Sequence, residues 1–62
     1  MTTVATYKNK TNGKIVRIIR VVKEGTKRVF FFPQTVDGKR LNSTLFARQY
    51  DAVSLGKMYL NN

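Results

Sequence analysis

Three segments rich in β-branched and aromatic residues, punctuated by turn signals and followed by apolar residues at helical spacing, predict an α+β domain. The expected architecture is a three-stranded antiparallel β-sheet packed against one C-terminal α-helix, because a lone apolar helix stripe and a sheet face can only bury each other. Sixty-two residues make one small domain and leave no room for a second core. The 42% hydrophobic share favours a folded chain over a disordered basic tail. Ordering entropy of roughly 1.5 kcal/mol per residue nearly cancels the burial so short a chain can reach, so each large apolar side chain matters.

The sheet is expected over about 3–33. Thr3 to Asn9 reads as a first strand leading into an Asn12-Gly13 turn. Between that turn and Glu24-Gly25-Thr26 lies Lys14 to Lys23, where six of ten residues are β-branched, a density that favours a strand. Its charges recur at 14, 17, 20 and 23, which suits neither strand nor helix cleanly. An amphipathic basic helix lying on a membrane surface is the weaker alternative, opposed by the flanking turns. Strand alternation puts Lys14, Val16, Ile18, Arg20 and Val22 on one face and Ile15, Arg17, Ile19 and Val21 on the other. Arg17 then either lays its stem across the core edge or is rotated outward by a bulge between 16 and 20. Lys27 to Phe32 reads as the third strand, ended by Pro33, which cannot donate to a ladder.

The segment 34–42 holds an Asp37-Gly38 turn signal and is a loop or a short hairpin arm. A helix is expected over about 43–55, capped by Asn42 or Ser43 and stopped by Gly56, with Phe46, Tyr50 and Val53 as its apolar stripe. The tail 56–62 is left over. Met58, Tyr59 and Leu60 suit either a frayed end or a fourth strand, and the latter would close an SH3-like barrel of the kind found in ribonucleoproteins.

With no cysteine and no histidine, the chain has no disulfide, no thiolate or imidazole metal site, and no nucleophile or base of those types. Glu24, Asp37 and Asp51 are scattered singly, whereas acid–base catalysis needs paired groups with diverging pKa values. A non-enzymatic protein is expected, with no cofactor, no metal and no small-molecule substrate. No apolar run is long enough to span a membrane, and Met1-Thr2-Thr3 lacks the basic and apolar regions of a signal peptide. The expected location is cytoplasmic, nucleoid-associated or in a host's cytoplasm, and nuclear in a eukaryote.

Twelve Lys+Arg against three Asp+Glu give a formal charge of +9, more than solubility requires and enough to attract polyanions. In that compartment nucleic acid is the commonest polyanion, and double-stranded DNA is the expected partner. The helix can cover one sheet face. By the parity above, the open face displays Lys8, Lys10, Lys14, Val16, Ile18, Arg20, Arg28 and Phe30. Long cations on such a face can bind phosphates or guanine edges, and apolar groups can touch thymine methyls. In Phe30-Phe31-Phe32, alternation sends Phe31 to the core and leaves Phe30 and Phe32 outside, unless the loop after Pro33 covers Phe32. Exposed aromatics could equally stack bases or anchor a protein, and burial of all three is the plain structural alternative.

Together these residues resemble the AP2 (plant ERF-type) DNA-binding domain. Ala47-Arg48-Gln49-Tyr50-Asp51-Ala52-Val53-Ser54-Leu55 is similar to that family's A-R-x-Y-D-x-A-A-L helix, Gly13 to Arg20 to its G-K-W-x-A-x-I-R strand, and Lys27-Arg28-Val29-Phe30 to its A-R-V-W strand. The resemblance implies a sheet face that enters the major groove. It implies basic contacts from Lys8 and Lys10, arginine contacts from Arg20 and Arg28, and Phe30 in place of a tryptophan. The same plan serves the arm-binding domains of some phage integrases, so a viral or mobile-element origin fits. The competing expectation is a small phage-type protein whose basic face grips and inhibits an acidic host protein such as a polymerase or nuclease.

Overall fold

The computed structural model describes all residues, 1–62. Three strands, β1 (Thr2–Lys8), β2 (Ile15–Lys23) and β3 (Arg28–Thr35), form an antiparallel sheet in the order β1-β2-β3, and one helix, α1 (Gln49–Leu60), packs against it. The expected α+β class is the one observed. No helix is long and apolar enough to cross a membrane.

β2 is a continuous strand, so the basic helix over 14–23 does not form. Its register with β3 runs without interruption from Val16↔Thr35 to Lys23↔Arg28. The irregularity lies instead in β1, where the pairing shifts between Thr3 and Ala5 and leaves Val4 over. No bulge turns Arg17. It follows simple alternation and is half-buried between Thr6 and Gln34 of the neighbouring strands.

Pro33 does not end the third strand, which continues to Thr35. The reason lies in which edge its nitrogen faces. Phe31 exchanges both backbone bonds with Phe46 (2.7 and 2.8 Å), so its N–H points away from β2. Pro33, two residues on, has its nitrogen on that same outer side, where a missing donor costs the β2 ladder nothing. The segment after it is the hairpin arm rather than a free loop. Gly38 at φ 89° turns the chain, Thr35 N–H donates to Lys39 O at 2.8 Å, and Gln34 bridges Arg40. The arm thereby covers the outer edge of β3, and β1 keeps the free edge.

The helix departs most from expectation. It starts at Gln49 rather than near 43, runs through Gly56, and ends at Leu60. Asn42 accepts from Thr44 N–H in a local turn, and Arg48, the true N-cap residue, makes no side-chain cap bond. The buried stripe is Ala52, Gly56 and Leu60, at i, i+4 and i+8. Phe46 lies outside the helix and bridges Phe31, while Tyr50 is 76% exposed. Since 57–60 is helical, no fourth strand closes a barrel. The buried core comprises Val16, Ile18, Ile19, Phe32, Ala52 and Leu60, with Pro33 fully enclosed beside them.

The β1–β2 turn terminates the helix. Asn9 and Asn12 both donate side-chain amides to Leu60 O, at 2.7 and 2.9 Å. The Lys14 ammonium donates to Asn62 O at 2.6 Å and reaches Tyr59 O at 3.5 Å. The Leu60 carbonyl, unpaired within the helix, is thus satisfied by residues about fifty positions earlier. Gly13 at φ 74° lets this turn fold back on itself, with its N–H on Asn9 O.

Candidate nucleic-acid interface

Which sheet face the helix covers decides which cations are displayed. Gly56 approaches Val16 and Ile18, so the helix sits over those two residues and their parity partners. The residues paired with them, Tyr7, Ala5, Pro33 and Thr35, share that face. The open face is therefore the other one. It carries Thr6, Lys8, Ile15, Arg17, Ile19, Val21, Lys23, Arg28, Phe30, Phe32 and Gln34.

This inverts the expected parity of β2. Val16 and Ile18 are fully buried under the helix instead of facing outward. Arg20 shares their face and lies opposite Thr2 and Phe31. It is nevertheless exposed, because twelve helical residues cover ~18 Å and nine strand residues extend ~30 Å. Lys14 is committed to the helix carbonyls and stands 4.9 Å from the Tyr59 ring centroid, again on the helix side. Of the expected binding residues, Lys8, Arg28 and Phe30 are on the open face. Lys10 sits in the β1–β2 turn at the sheet's end.

Three cations not singled out from sequence join the open face: Arg17, Lys23 and Arg40. Arg17 and Lys23 follow from β2 parity and were legible as the complement of Arg20. Arg40 was not legible, since only the hairpin arm brings it back. Its guanidinium lies 4.7 Å from the Phe32 ring centroid and donates to Ser43 O. It thereby covers Phe32, which is only 4% exposed, so the segment after Pro33 does shield this ring. Phe30 remains half-buried beside Val21, and Phe31 lies half-buried on the helix side against Phe46.

On this face Ile19 and Phe32 are buried, Val21 and Phe30 are half-buried, and Lys8, Arg17, Lys23, Arg28 and Arg40 stand along and beside them. No carboxylate occupies it. Glu24 and Asp37 sit in turns and Asp51 in the first turn of the helix. The β2–β3 hairpin continues past the last β1 pairing, at Arg20, as a two-stranded ribbon ending in Lys23, Lys27 and Arg28. Gly25 at φ 84° and Lys27 at φ 55° shape its tip.

The fold and site define a small basic sheet-and-helix protein with one cationic sheet face that the helix does not cover. The chain matches no protein-family model, no curated protein and no solved structure.

Proposed function

We propose that this protein binds double-stranded DNA, without catalysis, through the open sheet face. The observation that carries the reading is the row of Lys8, Arg17, Lys23 and Arg28 along one carboxylate-free face, with half-buried Phe30 and Val21 between them. Cations aligned on one face neutralise a run of phosphates and release their counterions, which cations scattered over all faces do not. The ribbon that continues the face has the width a DNA groove admits. The resemblance to the AP2-type domain supports the plan of sheet and helix. It assigns the contacts less well, because Arg20, an arginine it implies at the DNA, is on the helix-bearing face.

The test is a salt titration of duplex affinity with single variants. Affinity should fall steeply with salt, and Arg28→Ala or Lys23→Ala should weaken binding and reduce the log–log slope by about 0.9 for each phosphate no longer neutralised. Arg20→Ala and Arg48→Ala should leave both unchanged. If Arg20→Ala weakens binding as much as Arg28→Ala, the DNA lies on the other face. If a lysate pull-down yields an acidic protein that survives nuclease treatment, and no salt-dependent duplex binding is found, the inhibitor reading replaces this one.

A further inference from the structure

At the end of the sheet opposite the ribbon tip, the β1–β2 turn and the last turn of α1 bound an open cleft of about 520 Å³. Lys8, Lys10 and Lys57 line it together with Tyr7, Thr11 and Asn61, and no carboxylate does. We infer that this cleft is a phosphate-binding site, overlapping the sheet face only at Lys8 and recognising adjacent phosphates that together bear two or more charges.

A helix C-terminus ordinarily repels anions, because its last carbonyls are unpaired and form the negative end of the helix dipole. Here that objection is removed by the turn itself. Leu60 O accepts from both Asn9 and Asn12, and Tyr59 O and Asn62 O face the Lys14 ammonium. The two amides and Lys14 thus occupy the oxygens at the chain's end, which leaves Lys8, Lys10 and Lys57 to set the potential of the cleft. Lys57 rests 5.4 Å from the Tyr7 ring centroid, which steers its ammonium along the wall. Thr11 and Asn61 add a hydroxyl and an amide able to donate to phosphate oxygens. The volume falls within the range of small-ligand sites, about 300–1,000 Å³, larger than one phosphate needs. The adjacent phosphates therefore belong either to a free nucleotide or to a nucleic-acid backbone.

The measurement is an amide chemical-shift titration of the full chain with inorganic tripolyphosphate at constant ionic strength. Saturating shifts are expected at Lys8–Thr11 and Lys57–Asn61. Lys10→Gln combined with Lys57→Gln should weaken the apparent affinity by about tenfold or more, as expected for loss of charge-assisted hydrogen bonds, with the other resonances unmoved. Lys23→Gln combined with Arg28→Gln should leave it unchanged. Shifts that do not saturate, or that appear equally at Lys23, Lys27 and Arg28, would overturn the site as mere counterion atmosphere. A nucleoside triphosphate and a short duplex then compete against tripolyphosphate. Displacement by the first assigns the site to a free nucleotide, displacement by the second to a nucleic-acid backbone, and failure of both overturns it.

Discussion

A Cβ built on Gly56 stands 3.2 Å from Val16 Cγ1, 3.4 Å from Val16 Cγ2 and 3.5 Å from Ile18 Cδ1. Both neighbours are fully buried, and Val16 is stiff at χ1, so neither yields easily. Gly56→Ala gains about 1 kcal/mol of helix propensity but overpacks the contact, which typically costs about 1–3 kcal/mol. The expected result is a net loss of about 1 kcal/mol in denaturant unfolding, and in a Val16→Ala background, itself destabilised by the lost burial, Gly56→Ala should add no further loss. A gain in stability for Gly56→Ala alone would show that the helix can ride outward. At Asp37, the Thr35 hydroxyl donates to the carboxylate, helped by the Asp37 backbone and the Lys39 charge, and holds its pKa below the ordinary value. The turn's contribution is therefore full above the unfolded value of about 3.9 and fades as pH falls through the lower folded value. Carboxyl chemical shifts should give a midpoint below that of a free Asp, and Thr35→Val should raise it. An unmoved midpoint in that variant would exclude the hydroxyl as the cause.

At the scale of elements, the turn before β2 acts as the cap of the helix after β3. Because Leu60 O accepts from two amides, Asn9→Ala or Asn12→Ala alone leaves it one donor. Each single variant should cost less than about 1 kcal/mol, and the double variant more than their sum. Hydrogen exchange should localise the destabilisation to the last helical turn. Strict additivity with uniform exchange would argue against a shared cap. The strands themselves were legible: density of Ile and Val located β2, and Asn12-Gly13 and Gly25 located its ends. The sequence places the helix too early because Phe46, Tyr50 and Val53 also fit a helical spacing. Phe46 is used instead to pair the chain with Phe31, and only then does the helix begin. Gly56 read as a stop for the ordinary reason that glycine weakens helices. In place it is the contact that lets the helix approach the sheet.

Across the whole molecule, three carboxylates cannot neutralise twelve cations in a body of 41 × 18 × 18 Å. Self-repulsion therefore opposes the folded state. Raising salt from about 0.01 M to about 1 M shortens the screening length from about 30 Å to about 3 Å. The thermal midpoint should rise with it, by about 5 °C if the relief approaches 1 kcal/mol, while duplex affinity falls. A midpoint that drops with added sodium chloride would mean that attraction between charges, not repulsion, dominates the fold.

By itself the sequence determined the class of fold, the three strands in their order, and a formal charge of +9. These depend on local propensity, turn chemistry and composition, each readable within a few residues. Of the residues that the sequence points to, Lys8, Arg28 and Phe30 lie on the face that the helix leaves open. What only the tertiary structure decided is which side of β2 is open. Both faces of that strand carry an arginine among aliphatic residues, so alternation alone is symmetric between them. The choice falls when Gly56 seats the helix on Val16 and Ile18. That contact buries one set, leaves Arg17 and Lys23 with Arg28 on the other, and turns Arg20 away from them.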